Sequence, residues 1–473
     1  MKLKNITAAM LLAGIIFWNI SPAFAVSEVS NDTKSNKKFE YKTKKSRRFD
    51  DSYKYEYVNM EWWKTFNDEC LNDYIVKAVQ HNHDLKMASI AVDEYYQYTK
   101  IQFASELPTV GAAFSPALNK IPMQTSWDWS FLTPAIVNYE ADIFLKNHDK
   151  TKASKKQYEA SLQDERAAYI SIASAVATTY FNIVKLDEII NCQEQIVDLR
   201  KNIYELTKLC NQEGTVSMSD TVKADKAYVY GKSELPDLKK NRSKLLHSLA
   251  VLTGSPVSEA ENLQRTALSD ITLPENLPSE VSSEIIVNRP DYIKSEKMLE
   301  KAGIDIRVAK KEFLPSINLT GLVLFNSSDL GSMFNTQQAL ASLAGGAVLP
   351  IFTGGKRLAN LRLKRATYDR ALEQYLKTNQ TAIQEVNDAL VVIRQDKLRA
   401  EQNLRHQKLE NADYSYSKDR FAQGVISKRE LYQAQESLLS VNKLVASDKA
   451  DRLIDSIGLY KAVSGKICLL YTS

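Results

Sequence analysis

His81 and His83 place two imidazoles one residue apart, a spacing that could begin a metal site. A zinc site needs three or four donors, and His148, His247 and His406 are scattered far from the pair. The pair therefore reads as a solvated helix start. Gly345-Gly346 and Gly354-Gly355 could cradle phosphate, but neither is followed by Lys and then Ser or Thr, so no P-loop is present. Cys192 and Cys210 lie 18 residues apart on one expected helix, ~27 Å along its axis, too far to bridge. These residues build no catalytic constellation. No metal or cofactor is expected, and the chain reads as a non-enzyme.

The elements around these residues form one plan laid down twice. Leu107-Pro108 recurs as Leu314-Pro315, Asp84 as Asp291, Ile143-Phe144 as Ile351-Phe352, and Tyr158 and Leu162 as Tyr368 and Leu372. Gly214-Thr-Val-Ser217 recurs as Gly424-Val-Ile-Ser427, with Asp220 and Ala224 matched by Glu430 and Ala434. The offset stays between about 207 and 211 residues, far longer than a solenoid repeat. Lys146–Glu213 and Lys356–Gln423 contain neither Gly nor Pro. Each would make a helix of ~100 Å. Ile196, Leu199, Ile203, Leu206 and Cys210 step by three and four, as do Ile383, Val386, Leu390 and Ile393. These are expected apolar coiled-coil seams.

Gly214 and Gly424 are expected at the tips of two helical hairpins, where glycine permits a left-handed turn. Ser217 and Ser427 are expected to cap the returning helices. Gly231 and Pro236 should bend the first of these. Shorter helices are expected over about 85–106 and 291–313. A belt near His81 and over 253–288 would complete the helical part.

Four short segments read as strands. They are Thr109–Ser115, Ser126–Phe131, Ser316–Gly321 and about Ala341–Phe352. Trp127, Trp129 and Phe131 alternate with Asp128 and Ser130, and Ile317 and Leu319 with Asn318 and Thr320. A period of two is the strand signal.

The N-terminus sets the compartment. Lys2 and Lys4 precede the apolar run Ile6–Ile20, and Ala23-Phe24-Ala25 follows. Residues 1–25 read as a secretory signal peptide. The run is short for a membrane anchor, and no later stretch approaches the ~20 apolar residues of a spanning helix. No Cys follows the run for lipid attachment. Residues 26–60 read as a polar basic leader carrying +5 from eight Lys/Arg against three acids. That leader explains the basic balance, so no nucleic-acid surface is expected. The first repeat is placed at 61–280, with strands in 108–142. The second is placed at 281–465, with strands in 315–352. Residues 466–473 form a doubtful tail that resembles a sequencing artefact.

An exported chain with alternating strands could form a membrane barrel with Trp127, Trp129 and Phe131 in lipid-facing or interfacial positions and Asp128, Ser130, Asn318 and Thr320 toward the lumen. Four strands cannot close a barrel alone, and an open edge is not tolerated in lipid. This reading requires more than one chain. A water-soluble α+β protein and a periplasmic coiled-coil scaffold without a pore are the alternatives.

Several motifs together resemble one family. Tyr139-Glu140-Ala141-Asp142-Ile143-Phe144, Asn288-Arg289-Pro290-Asp291-Tyr292, Phe313 to Gly321, Leu349 to Gly355 and Arg420-Phe421-x-x-Gly424 resemble motifs of the outer-membrane efflux channel proteins, the TolC-like outer membrane factors of the NodT-type branch. The resemblance runs from about Glu61 to Gly465. It implies a mostly α fold with a membrane β-barrel: long coiled-coil hairpins plus four strands per chain in two pseudo-repeats. It also implies a homotrimeric tunnel that is closed at its periplasmic end until a partner opens it.

The implied role is a passive exit duct for small molecules in a three-part pump, in the outer membrane of a Gram-negative bacterium. The implied partners are outer-membrane lipid, a periplasmic adaptor and a proton-driven inner-membrane transporter. An exit duct for ATP-driven protein secretion is the runner-up. The chain departs from the family pattern at Ala141, at Leu145, where the family has Gly, and at Gln433, where it often has an acid. Arg429 and Gln433, one helical turn apart beside Glu430, are expected to help line the constriction, with Asp220 nearby from the first hairpin.

Overall fold

The computed structural model describes residues 62–120, 127–274, 278, 281, 283–332 and 334–464. The expected signal peptide, basic leader and doubtful tail, and Ser126, lie outside the described residues. The chain divides into two compact units. Among the described residues one holds Ser105–Phe144 and Leu314–Ile351, and the other holds the remainder.

The first unit is an antiparallel sheet of β1 (Thr109–Ala112), β2 (Ser115–Asn119), β3 (Asp128–Ala141), β4 (Ser316–Ser327) and β5 (Ala339–Val348). The order is β1-β3-β4-β5, with β2 also paired to β3. Ala112 faces Ala135 and Ser115 faces Leu132, so β1 and β2 keep one register against β3. They are one strand interrupted at Ala113–Phe114. The interruption has a cause. Ala113 N–H donates to the Pro134 carbonyl at 3.0 Å, but proline has no N–H to return the bond. Five segments therefore make the four expected strands. The second strand runs ten residues beyond its expected end at Phe131, through Pro134 to Ala141. The last ends at Val348, short of Leu349-Pro350.

The second unit is helical: α1 (Glu69–His81), α2 (His83–Ala104), α3 (Lys146–Gln212), α4 (Met218–Thr253), α5 (Pro290–Lys311), α6 (Lys356–Ala422) and α7 (Lys428–Ala462). Helices α3 and α6 are 67 residues each. Pro290 opens α5, where its missing N–H costs nothing. Helix α4 continues unbroken through Gly231 and Pro236. Helix α3 packs along α2, α4, α5 and α7, whereas α6 packs along α5 and α7.

The main core lies where α1, the middle of α3 and the ends of α4 and α7 converge. Phe66, Leu71, Ile75, Tyr180, Phe181, Leu246, Leu249, Leu453 and Ile457 are buried there. Each such side chain contributes about 1.5–3 kcal/mol by leaving water. Contrary to the sequence expectation, α3 does contain a window apolar and long enough to cross a membrane. Val176, Ala177, Tyr180, Phe181 and Ile183 in it are this core.

The core is closed by a polar knot. Asp68 caps α1 by accepting from Leu71 N–H at 3.1 Å, and also accepts from Tyr180 Oη at 2.8 Å and Thr266 Oγ1 at 2.9 Å. Thr266 N–H donates to Tyr180 Oη at 3.0 Å. Burial pushes the Tyr180 phenol well above its ordinary value, so it remains a donor.

The expected apolar seams are only partly realised. Ile196 and Leu199 are buried with Leu439, but Ile383 is 42% exposed. Helix α6 has fewer neighbours within the chain, and among its described residues buries Ala382, Val386 and Ala400.

The two long helices start differently. Gly355 precedes α6 at φ 79°, and Leu145, 210 residues earlier, precedes α3 at φ 57°. The left-handed region is unstrained for glycine and unfavourable for leucine. Lys311 holds the strained turn by donating to the Leu145 carbonyl at 3.0 Å and to Asp149 Oδ2 at 2.7 Å. Burial opposes ionisation of Asp149, but Lys311 and Arg307 outweigh it and hold the carboxyl below the usual range. Replacing Leu145 by Gly should stabilise the helical unit by up to about 1 kcal/mol, and Gly355→Leu should cost about 1–2 kcal/mol. The midpoint of denaturant unfolding followed by helical circular dichroism reads both. A lower midpoint for Leu145→Gly would refute the strain.

Candidate functional site

The register assigns every strand residue to one of two faces. On one face Val110, Phe114 and Leu118 lie beside Trp129, Phe131 and Val137 of β3, then Leu319, Val323 and Phe325 of β4, then Ala341 and Leu343 of β5. Residues directly opposite one another, or two positions apart along a strand, share a face because side chains alternate along a strand. Phe114, Phe131 and Trp129 stack with centroids 6.2 and 5.8 Å apart. Leu343 is 84% exposed and Val110 74%. A broad exposed apolar face of this kind marks contact with another apolar medium. Trp127 is exposed and lies just ahead of β3 rather than in it.

The opposite face carries the polar groups. Asp128, Ser130, Asn138 and Glu140 of β3 lie there with Asn318, Thr320 and Asn326 of β4. Ser130 Oγ donates to Asn326 Oδ1 at 3.2 Å, and Thr320 Oγ1 to Asn138 Oδ1 at 3.2 Å. The sequence reading found Asp128, Ser130, Asn318 and Thr320 but not Asn138, Glu140 or Asn326. The alternation through Val137-Asn138-Tyr139-Glu140 was a usable signal. Pro134 masked it, because proline in a central strand is ordinarily a contrary sign.

The hairpin tips share one local geometry. Gly214 and Gly424 adopt φ 73° and 75°. Thr215 N–H donates to the Cys210 carbonyl at 2.9 Å and Gly214 N–H to Asn211 at 3.0 Å. Val425 and Gly424 repeat this with Arg420 and Phe421 at 2.8 and 2.9 Å. These are Schellman closures. Ser217 then caps α4 by accepting from Asp220 N–H at 3.2 Å, and donates Oγ–H to the Asp220 carboxylate at 2.7 Å. Ser427 caps α7 in a reciprocal box, with Glu430 Oε2 accepting from Ser427 N–H at 2.7 Å.

Asp220 and Glu430 are thus engaged at their own helix starts. Ser217, then Lys223, hold Asp220 below the usual carboxylate range, and Ser427, then Arg420 and Arg429, do the same for Glu430. Arg429 and Gln433 are exposed. Among the described residues no hydrogen bond or ion pair joins Asp220 to either of them.

Two polar groups that the sequence did not single out tie α3 to both returning helices. Gln193, 1% exposed, donates Nε2–H to the Gly231 carbonyl at 3.1 Å and to Glu234 Oε2 at 2.8 Å, and accepts from Lys443 Nζ at 2.7 Å. One heptad on, Arg200 binds Glu436 of α7 at 2.8 Å and the Ala227 carbonyl of α4 at 3.2 Å. Gly231 leaves room for this guanidinium, since a Cβ there would lie 2.9 Å from Nη1. Gln193, Ile196, Arg200, Ile203 and Thr207 step by three and four, so the signal was a seam with polar residues in it.

Among the described residues no group of three or more His, Cys, Asp or Glu could hold a metal ion. His81 instead packs over Gly254, where a Cβ would meet its Cβ at 2.8 Å. A cleft of about 660 Å³ beside the core is lined by Cys70, Asp187, Glu188, Glu261 and Arg265. Its Asp187 is occupied by Arg265 at 2.6 Å and Arg242 at 3.3 Å.

Replacing Gln193 by Leu leaves the Lys443 ammonium and the Gly231 carbonyl without this partner. It should cost about 1–3 kcal/mol in denaturant unfolding; an unchanged midpoint would remove Gln193 from this role. At the tips, carboxyls held below their ordinary range stabilise above it and lose that contribution as pH falls through the lowered value. Acidification should therefore speed amide exchange after Ser217 and Ser427, corrected for intrinsic rates. Ser427→Ala should do the same at neutral pH, at about 1 kcal/mol.

The pattern has counterparts among known proteins. The model of the family described as outer membrane efflux protein matches residues 74–255 and 281–465. The chain is 28% identical over 416 residues to the toluene efflux pump outer membrane protein TtgC of Pseudomonas putida, covering 85% of this chain and 84% of that protein. It is 26% identical over 420 residues to the cation efflux system protein CusC of Escherichia coli, covering 86% and 89%. The crystal structure of the CmeC outer membrane channel of Campylobacter jejuni superposes with a TM-score of 0.77 at 28% identity, covering 86% of this chain and 88% of that one. With two repeats matched and a two-faced sheet that suits a membrane, the chain belongs to the outer membrane efflux protein family.

Proposed function

We propose that this outer-membrane efflux channel protein acts as a homotrimer, forming the passive exit duct of a three-part pump for small toxic molecules. The observation that carries the assembly is the sheet, which among the described residues has one apolar face, a second face that carries the polar groups beside Leu132, Ile136, Leu322, Leu324 and Leu340, and two unpaired edges, β1/β2 and β5. Backbone groups at such edges must be bonded in hydrocarbon. The edge strands run antiparallel to each other, so β5 of one copy can pair with β1/β2 of the next and continue the alternation. Three copies give twelve strands, a number taken from the family resemblance. The 10 to 14 residues of β3, β4 and β5 suit a tilted span of the bilayer.

The apolar face then meets lipid, while Asp128, Ser130, Asn138, Thr320 and Asn326 line water. Transport through such a duct is passive, and energy comes from a proton-driven inner-membrane transporter reached through a periplasmic adaptor. The relatives named for toluene and for cations support small molecules as the transported class. Arg429 and Gln433, exposed beside the self-capped Glu430, are assigned to the periplasmic constriction, with Asp220 on the neighbouring tip.

Purified protein should conduct ions in a planar bilayer, and Arg429→Ala or Gln433→Ala should raise the closed-state conductance. No conductance at all would overturn the duct, whereas unchanged variants would overturn only the gate assignment. A photo-reactive residue at Ser217 or Ser427 should capture an adaptor together with a proton-driven transporter. Capture with an ATP-driven exporter would move the duct to protein secretion.

A further inference from the structure

The second hairpin has a seam made of charge. Asp396, Arg399 and Asn403 of α6 and Asp448, Asp451 and Asp455 of α7 occur at steps of three and four and face one another. Arg399 reaches Asp448 at 2.8 Å, Asp396 at 3.0 Å and Asp451 at 3.4 Å. Asn403 donates to Asp448 Oδ2 at 2.6 Å. From α3, Lys185 reaches Asp451 at 2.7 Å.

Four carboxyls thus share two cations, and the seam is under-neutralised when all four are ionised. Asp455 is the one left over. Among the described residues its Oδ2 is buried and bonded to no donor. The charged groups acting on it are Asp396 and Arg399 from α6 and Asp451 from its own helix, with Lys185 of α3 committed to Asp451.

We propose that this seam is a proton-operated clasp on the second hairpin. With Asp455 protonated against the Asp396 carboxylate it holds α6 on α7, and on losing that proton it loosens the contact.

A buried carboxyl pair can hold one proton between two oxygens, but not two negative charges. Burial, then Asp396 and Asp451, push the Asp455 carboxyl up to about 7, with Arg399 acting the other way. The sign follows. A carboxyl raised in the folded state costs nothing below its ordinary value, where it is protonated in both states, and weakens the fold as pH rises from that value to the raised one. The seam should therefore be tight in mild acid and loose in mild alkali. Apolar packing of α6 beside the seam is limited: Val386 is buried, and Ala389, Leu390 and Ile393 are only partly buried against the main core. The clasp itself is independent of the duct reading; a pH response of conductance would rest on that reading.

The test is hydrogen exchange of the full chain in detergent at about pH 5.5 and about pH 8.5, on either side of the titration, corrected for intrinsic rates. Amides flanking Asp396 and Asp455 should lose about tenfold protection at the higher pH, the factor expected when the closed seam binds its proton about ten times more tightly than the open one. Asp455→Asn offers Asp396 a permanent donor and should keep its protection at both values. If that variant fails to fold by circular dichroism, Asp396→Asn carries the same expectation. His406, which faces Glu410 at 3.3 Å on α6, stays intact in both, so a response carried by it would survive. Equal wild-type protection at the two values, or a pH-dependent loss persisting in the folded variant, would overturn the clasp.

Discussion

A peptide N–H or C=O placed in hydrocarbon must find its partner within protein, at a cost of several kcal/mol if it does not. The described sheet meets this requirement along β3 and β4 and leaves it open at β1/β2 and β5. The consequences run outward from there. In the proposed homotrimer copies of the sheet continue one another, the apolar face stays apolar, and the polar groups lie on the other face. Pro134 marks the place where the ladder is interrupted. Its missing donor falls at the gap between β1 and β2, while the Ala113 amide still finds the Pro134 carbonyl.

Repetition builds the molecule, and its departures show where the halves differ in physics. Both tips use the same glycine closure and serine cap, so the turn is fixed by local chemistry alone. The starts of the long helices are not equivalent. One has a glycine suited to the left-handed region, and the other has Leu145 held there by Lys311. The first hairpin is also locked to α7 through Gln193 and Arg200, and Gly231 makes room for the second of these.

The two hairpins differ in what holds them. Helix α3 buries a broad apolar ridge and is surrounded by α2, α4, α5 and α7. Helix α6 buries few side chains and meets α7 across Asp, Arg and Asn. Polar seams of this kind depend on protonation and geometry where apolar seams do not. The second hairpin is therefore the more conditional of the two within one chain, and its Ile383 and Leu363 are exposed.

Much of this was legible in the residues. The absence of Gly and Pro over 67-residue stretches, the glycines that end them and the serines that follow fix helices and tips through backbone terms that act locally. The two-residue alternation fixed which of Trp129, Phe131, Asp128 and Ser130 share a face, because the strand repeat admits no other outcome. Tertiary structure decided what depends on residues far apart in sequence. It carried β3 through Pro134, aligned Asn138 with Thr320, brought Gln193 to Lys443 and set Asp396 against Asp455. Each of these relations rests on the register between two elements, and register is set by the packing of whole faces, which no single segment contains.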